Sequence, residues 1–168
     1  MNVAILILTL VTLQRLGELW LSARNTRRLL ARGAREAGAA HYPLVVAVHV
    51  AWLAALWWLA PGRPIDGFWL AMFVLLEVAR IWVVASLGER WTTRIIVVPG
   101  EPLVRRGPYR VLNHPNYLVV IGEIAVLPLV FGLWHVALIF SLLNAAVLYV
   151  RVREENAALA NAAASSYQ

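Results

Sequence analysis

The sequence of 168 residues contains no cysteine and no lysine. Without cysteine the chain can form neither disulfides nor thiolate metal sites, and no thiol can act as a nucleophile. Without lysine it cannot form a Schiff base with a carbonyl substrate. Its four histidines are scattered along the sequence, so we expect no metal site. All 15 basic residues are therefore arginines.

Apolar residues dominate the composition, whereas charged residues are few. Hydrophobic residues make up 61% of the sequence, and its mean hydropathy is +0.70. A soluble domain of this length is less apolar, so the composition predicts an integral membrane protein. The net charge of +6 does not indicate nucleic acid binding, because the arginines are concentrated in loops between apolar segments.

Five apolar segments approach the length of about 20 residues that a membrane-spanning helix needs. We therefore predict an all-α integral membrane protein with about five transmembrane helices. The first segment lacks the positive start and the cleavage site of a signal peptide, so we expect it to be retained as a span. The last two segments are short and should form a tight helical hairpin. The five segments are approximately residues 1–21, 43–60, 68–87, 117–133 and 135–150.

Loops that are rich in arginine alternate with loops that are poor in it. Residues 22–42 and 88–116 contain five arginines each, residues 61–67 contain one, and the tip of the last hairpin contains none. The positive-inside rule then predicts an N-terminus outside and a C-terminus in the cytoplasm. Residues 23–40 are expected to form either a surface helix on the cytoplasmic leaflet or a solvated loop.

A polar segment that contains glycine and proline separates the third and fourth spans. Because proline disfavours the α conformation of the preceding residue, Pro115 should hold His114 extended. Gly107-Pro108 predicts another sharp turn. Near Tyr117, the start of the fourth helix offers free N–H groups and a positive dipole end, which suit a carboxylate or a phosphate. The alternative is a polar loop that only caps the helix.

A second polar cluster, which includes Arg151, Glu154 and Glu155, follows the fifth span. Arg151 and Glu155 are four residues apart and so share one face of a helix. The alternative is a solvated helix end with an ordinary surface ion pair. Both clusters are predicted at the same end of a membrane hairpin. A site that binds a polar cofactor beside a lipid-soluble substrate would need that arrangement.

Charged residues inside predicted spans are costly and usually have a structural or functional reason. Arg15 and Glu18 are three residues apart in the first span, as are Glu77 and Arg80 in the third. Glu123 has no such partner within the fourth span. It is expected either to pair with Arg80 across the bundle or to face a reaction cavity.

The two polar clusters together resemble the isoprenylcysteine carboxyl methyltransferase family of integral membrane enzymes. The resemblance covers roughly residues 89–159, and one departure is Asn113, which stands where the family motif usually has arginine. A further segment is similar to the short bacterial branch, some of whose members resemble alkylpyrone O-methyltransferases. This similarity implies a location in the inner membrane of a bacterium. The matching segments are Gly107-Pro108-Tyr109-Arg110, His114-Pro115-Asn116-Tyr117, Arg151 with Glu154-Glu155, and, for the bacterial branch, Trp91-Thr92-Thr93-Arg94.

The resemblance implies an enzyme that uses S-adenosylmethionine as methyl donor. The acceptor would be the carboxyl or hydroxyl group of a lipophilic small molecule or a prenylated substrate, isoprenylcysteine-like or alkylpyrone-like, among membrane lipids. The chain would be a single membrane domain, residues 1–168. Three N-terminal spans would occupy residues 1–88, and a methyltransferase-like, cofactor-binding part would occupy residues 89–168.

The resemblance also implies the residues of the site. The cofactor would be held at the cytoplasmic end by the loop before the fourth helix and by the C-terminal segment, while Arg151 and Glu155 would be catalytic and face the reacting group. The implied cofactor-binding residues are Gly107, Pro108, Tyr109, His114, Pro115, Tyr117 and Glu154.

Three other functions stay open at this point. Sterol-type membrane reductases that use NADPH share a similar His-Pro-x-Tyr segment and similar C-terminal spans, although they are usually longer. Phospholipid N-methyltransferases are closer relatives. A non-enzymatic membrane scaffold would need neither polar cluster.

Overall fold

The computed structural model describes residues 2–99 and 104–165, with the backbone alone from residue 159. Within these residues the chain is helical apart from two short strands, which confirms the predicted all-α membrane fold. The five α-helices are α1 (Val3–Ala31), α2 (Tyr42–Leu59), α3 (Gly67–Leu87), α4 (Pro115–Val130) and α5 (Trp134–Ser165).

The helices differ in whether their length suits a membrane. Among the described residues, α1, α2, α3 and α5 are each long and apolar enough to cross one. Helix α4 is apolar but has only 16 residues. At a rise of about 1.5 Å per residue it spans about 24 Å, less than the roughly 30 Å of a hydrocarbon core. The expected five apolar helices are present, and the fourth is the shortest.

The surface helix considered for residues 23–40 is not formed. Helix α1 continues past its predicted end and finishes at Ala31. Gly33, two residues later, has a φ of +88° and turns the chain away from the helix. Glycine adopts this left-handed conformation without strain, and the N–H of Ala34 bonds back to the Leu29 carbonyl at 3.1 Å. The chain then enters strand β1 (Arg35–Ala37).

Loops of similar charge meet at the same end of the bundle. Strand β1 pairs antiparallel with β2 (Ile95–Val97), which joins the two arginine-rich segments at what we call the Arg-rich end. At the Arg-poor end, the N–H of Asp66 donates to the Val130 carbonyl at 2.9 Å. That bond ties the α2–α3 connection to the α4–α5 turn. The alternation of arginine along the sequence is thus matched by the fold.

A buried apolar cluster lies toward the Arg-poor end. Side chains of all five helices contribute to it, and the indole of Trp52 donates to the Ile124 carbonyl at 3.3 Å. Outward faces of the helices instead expose large apolar side chains such as Trp58 and Trp82, as lipid contact requires. The best-buried members of the cluster are Ala4, Leu8, Leu56, Ala60, Leu127, Val130, Phe131 and Leu133.

Four charged side chains in the middle of the bundle form a buried network, the interior cluster: Arg15, Glu18, Arg80 and Glu123. Arg80 donates to Glu18 and also to Glu123, the latter at 2.9 Å. Arg15 reaches the same two carboxylates at 3.0 and 2.8 Å. Of the two expectations for Glu123, pairing across the bundle is therefore correct. The network joins α1, α3 and α4.

Candidate active site

The loop that precedes α4 is anchored to α3. Gly107 has a φ of +55°, and a Cβ there would lie 2.2 Å from the Ser86 hydroxyl oxygen. Only glycine therefore fits against α3 at this point. Arg106 holds the same place by donating from Nε to the Ser86 carbonyl at 2.6 Å. These contacts give Gly107 a packing role in positioning the loop, while its contact with a cofactor stays a prediction.

A short 3-10 helix, Gly107–Arg110, follows this anchor and includes Pro108 and Tyr109. Burial raises the pKa of the Tyr109 hydroxyl to about 12, and the nearby charge of Glu155 adds to the effect. Tyr109 therefore stays neutral at ordinary pH and can donate a hydrogen bond to a ligand.

His114 is held outside the helix, as its position before proline predicts. Its φ is −132° and its ψ is 59°, and Pro115 begins α4. The imidazole stacks on the ring of Tyr117, with centroids 5.1 Å apart and planes 12° from parallel. Its Nδ1 lies 3.7 Å from a carboxylate oxygen of Glu155. The loop thus brings His114 to the C-terminal helix.

Tyr117 bridges the two residues that the resemblance implies are catalytic. Nε of Arg151 donates to the Tyr117 hydroxyl at 2.9 Å, and that hydroxyl donates to Glu155. We call these three residues the terminal cluster. Only 7% of Arg151 is exposed, so the cluster is not a solvated surface ion pair. The spacing in α5 placed Arg151 and Glu155 on one face but gave no sign of the tyrosine between them.

Glu154 lies apart from these residues. It is exposed, and its Cβ lies 3.2 Å from where a Cβ on Gly38 would stand, in the connection between β1 and α2. Because α5 turns about 100° per residue, Glu154 and Glu155 face different directions. The structure brings together Tyr109, His114, Tyr117, Arg151 and Glu155 of the residues predicted from sequence.

A cavity of about 230 Å³ lies on the other side of Tyr117 and Arg151. Its walls come from all five helices and are mostly apolar. Tyr109, His114 and Glu155 are not among the described residues that line it. Tyr117 and Arg151 therefore lie between the cavity and the loop. They line the cavity on one side and contact the residues of the loop side on the other.

The cavity opens toward the lipid-facing surface between α1 and α2. Leu16 and Leu19 of α1 and Val50 of α2 line it and are also exposed on the outside of the bundle. A lipophilic molecule could therefore enter from the membrane without first passing through water. We call this space the acceptor cavity.

Residues 91–93 close the acceptor cavity at the Arg-rich end. The Thr93 hydroxyl shares hydrogen bonds with Ser22 at 2.8 Å and with Tyr42 at 2.9 Å. The side chain of Asn25 donates to the Trp91 carbonyl at 2.9 Å. These bonds pin the segment to α1 and α2. The sequence marked it only by its resemblance to a bacterial branch and did not indicate a cavity wall.

Three polar atoms of residues that line the cavity are buried and lack a partner within the described chain: Nε of Arg15, Nε1 of Trp91 and Oδ1 of Asn116. Buried polar atoms are nearly always hydrogen-bonded in folded proteins. Two unpartnered donors and an unpartnered acceptor are therefore available to a ligand. The sequence did not single out Asn116, apart from its place in a motif, or the histidine at position 49, which also lines the cavity.

Comparison with known proteins gives a consistent result. The isoprenylcysteine carboxyl methyltransferase (ICMT) family matches residues 69–161. Uncharacterized protein YpbQ of Bacillus subtilis is 36% identical over 159 residues, which are 92% of this chain and 95% of that protein. An uncharacterized protein of Haemophilus influenzae is 26% identical over 153 residues, 88% of this chain and 89% of that protein. No solved structure matches significantly.

The family match spans α3 to α5 and so contains the loop, Tyr117 and the Arg151–Glu155 segment. It covers more than half of the chain, and the resemblance seen in the sequence is confirmed. With a bundle of apolar helices around these clusters, the chain belongs to the isoprenylcysteine carboxyl methyltransferase family and is a membrane methyltransferase of that type.

Proposed function

We propose that this protein is a membrane O-methyltransferase that uses S-adenosylmethionine to methylate the carboxyl or hydroxyl group of a lipophilic acceptor. The observation that carries the proposal is the position of Tyr117 and Arg151. Both line the acceptor cavity, and both are bonded into the group that contains Glu155 and His114 on the loop side. A polar cofactor and a lipid-soluble acceptor can meet at these two residues.

The residues on the loop side fit S-adenosylmethionine. The stacked rings of His114 and Tyr117 offer aromatic faces to an adenine or a sulfonium. The carboxylate of Glu155 suits an ammonium group, and the buried Oδ1 of Asn116 needs a donor. When bound, the cofactor would supply an electrophilic methyl group. Asn113 replaces the usual arginine of the motif, so the contacts of that arginine must come from another group.

Arg151 is the residue best placed to hold the acceptor oxygen. Its Nε is anchored to Tyr117, and its two terminal nitrogens have no hydrogen-bond partner in the described part of the chain. A planar guanidinium can hold a carboxylate or a negatively charged oxygen through both nitrogens. Methyl transfer is an in-line displacement, so correct positioning of the two reactants accounts for much of the rate. Glu155 acts through Tyr117 by fixing Arg151.

The apolar walls of the acceptor cavity suit an alkyl or prenyl tail. Such a tail would enter between α1 and α2 while the head group reaches Arg151. Isoprenylcysteine-like and alkylpyrone-like molecules both have this form. The Arg-rich end would face the cytoplasm, which supplies S-adenosylmethionine.

Titration of the purified protein with S-adenosylhomocysteine and with NADPH tests the proposal. We expect saturable binding of S-adenosylhomocysteine and none of NADPH. Binding of NADPH alone would instead indicate a reductase, and binding of neither would indicate a scaffold. Vesicles that contain phosphatidylethanolamine separate the remaining alternative, because an N-methyltransferase would methylate that lipid and an O-methyltransferase would not.

A further inference from the structure

His49 of α2 lines the acceptor cavity and has one ring nitrogen already engaged. Its Nδ1 lies 2.8 Å from the carbonyl oxygen of Val45, one turn earlier in the helix. Because a carbonyl oxygen can only accept, Nδ1 carries the proton of the neutral ring. Nε2 then presents a lone pair, and it has no hydrogen-bond partner in residues 2–99 and 104–158.

The carboxylate of Glu18 and the hydroxyl of Tyr42, which also line the cavity, are already hydrogen-bonded. Glu18 accepts from both Arg15 and Arg80. The hydroxyl of Tyr42 shares its hydrogen bond with Thr93. The unpartnered amide oxygen of Asn116 accepts hydrogen bonds but is not a base at neutral pH. Among the described residues of the cavity, Nε2 of His49 is thus the available atom that can take a proton.

Glu155 is poorly placed for that task, although the resemblance implies that it is catalytic and faces the reacting group. Its carboxylate accepts from the Tyr117 hydroxyl and lies near His114. It is not among the described residues that line the acceptor cavity. Its role is therefore confined to the loop side of Tyr117.

We propose that His49 is the general base of the acceptor site and that the acceptor carries a weakly acidic hydroxyl group of the phenol class. This inference rests on the proposed methyl transfer and narrows it. A carboxylate acceptor has already lost its proton and would need no base in the cavity. A hydroxyl acceptor must lose its proton during the reaction, and Nε2 is positioned to accept it.

The step balances with a sulfonium methyl donor. His49 takes the hydroxyl proton as the acceptor oxygen bonds to the methyl carbon. The carbon–sulfur bond breaks, and its electron pair stays on sulfur to give a thioether. The imidazolium then returns its proton to water. Arg151 stabilises negative charge on the oxygen, because its terminal nitrogens are close to where that charge develops.

Charged groups from three other helices also face the cavity and will shape the pH dependence of this step. Arg15 and Arg80 are paired with Glu18 and with Glu123, so Arg151 is the lining cation without a direct carboxylate partner in the described residues. Its charge favours an anionic oxygen. The ionisable residues that line the cavity with His49 are Arg15 and Glu18 of α1, Tyr42 of α2, Arg80 of α3, Tyr117 of α4 and Arg151 of α5.

Two acceptors of equal chain length, dodecylphenol and dodecanoic acid, test the proposal in the full-length protein. His49→Gln should lower methyl transfer to dodecylphenol at least about tenfold, while transfer to dodecanoic acid, if any, changes less than about twofold. His135→Gln is the matched control, because that residue is exposed at the Arg-poor end. Equal losses with both acceptors would show that His49 only shapes the cavity wall, and this result would overturn the proposal.

The pH profile separates a base from a group that only shapes the cavity. Residual transfer by His49→Gln should rise steeply toward the pKa of the phenol itself, about 10 for this class of hydroxyl, because ionised phenol needs no base. The wild-type profile should be flatter over the same range. Parallel profiles for the two proteins would contradict the proposal.

A second readout needs no turnover. Diethyl pyrocarbonate acylates unprotonated imidazole nitrogens, and mass spectrometry can locate the label. We expect His49 to be labelled and dodecylphenol to protect it, while His135 is labelled with or without dodecylphenol. Failure of dodecylphenol to protect His49 overturns the inference even where S-adenosylhomocysteine binds. Failure of S-adenosylhomocysteine to bind would overturn the proposed function itself.

Discussion

The interior cluster and the terminal cluster are both buried and charged, but they differ in whether their arginines are paired directly with carboxylates. In the interior cluster, each arginine contacts two carboxylates. In the terminal cluster, Arg151 is hydrogen-bonded within the described residues through Nε alone, and it has no direct carboxylate partner there. Residues of both clusters line the cavity, and Nε of Arg15 and Oε1 of Glu123 lack a hydrogen-bond partner in the described chain. We call the interior network closed because the charges of its arginines are balanced by carboxylates within the fold, and the terminal network open because the charge of Arg151 is not.

Whether a buried arginine has a carboxylate partner distinguishes a structural cluster from a ligand-binding one better than its charge or its burial does. A buried ion pair whose partners all lie in the protein fixes the arrangement of helices and has little left to offer a substrate. A buried cation without a direct counterion costs stability and is therefore expected where function requires it. The sequence alone could not distinguish the two cases, because both read as charges beside or within apolar segments.

The largest effect should come from breaking the closed network. Arg80→Met removes the cation between Glu18 and Glu123, of which Glu123 is only 2% exposed. We expect a loss of about 3–5 kcal/mol in the free energy of unfolding, since two buried carboxylates lose a partner. Thermal unfolding of the purified protein in detergent measures this loss.

A matched control is Arg28→Met, which breaks the exposed pair with Glu89 at 3.0 Å. Exposed pairs contribute about 1 kcal/mol or less, so this variant should melt close to the wild type. Equal melting temperatures for Arg80→Met and Arg28→Met would show that the interior cluster does not hold the bundle together.

The next effect should come from the centre of the open cluster. Tyr117→Phe keeps the ring that stacks on His114 but removes the hydroxyl between Arg151 and Glu155. We expect turnover to fall about tenfold, equal to about 1.4 kcal/mol in the transition state. Affinity for S-adenosylhomocysteine should change little.

Glu155→Gln should give a similar loss, because its carboxylate acts on Arg151 through Tyr117. Combining the two substitutions should cost about as much as either one, since residues that act as a unit are not additive. Steady-state kinetics of the four proteins measure the coupling. Fully additive losses would mean that the hydrogen-bonded chain does not work as one element.

A smaller and different effect is expected at the loop side. His114→Ala should weaken S-adenosylhomocysteine binding several-fold with little loss of folded protein, because the side chain is 28% exposed and lies in a loop. Calorimetric titration measures the affinity, and His135→Ala is the control. Unchanged binding with reduced yield of folded protein would make His114 a structural residue of the loop.

The placement of the two ends in the membrane can be tested without affecting either cluster. Reporter fusions at Ala31 and at Ala160 should report the cytoplasm, and a fusion at Gly62 should report the outside. A cytoplasmic signal at Gly62 would contradict the predicted orientation while leaving the fold unchanged.

The fold was largely predictable because hydropathy and charge set membrane topology directly. The five apolar segments predicted the five helices, and the alternating arginine content predicted which loops lie at the same end of the bundle. The extension of α1 to Ala31 and the pairing of β1 with β2 were missed. Polar helical turns outside the membrane leave no hydropathy signal, and pairing of strands three residues long is decided by the packing of distant segments.

The candidate site was only partly predictable. Residues within one motif, such as His114 and Tyr117, were found because proline and glycine fix the local backbone. The position of Tyr117 between Arg151 and Glu155, and that of Trp91 in the cavity wall, depend on contacts between segments far apart in sequence. The spacing of residues along the chain does not encode such contacts. His49 did carry a signal, a histidine within an apolar span, but the sequence offered no partner that would give it a role.

The most direct test of the contrast between the two clusters is methyl transfer by Arg151→Lys, measured per mole of folded protein. A radiolabelled methyl group of S-adenosylmethionine would be followed into the organic extract of native membranes, with S-adenosylhomocysteine affinity measured on the same preparation. Lysine keeps the charge but loses the planar fork, so we expect turnover to fall roughly tenfold or more with cofactor affinity nearly unchanged. Wild-type turnover in this variant would contradict the account.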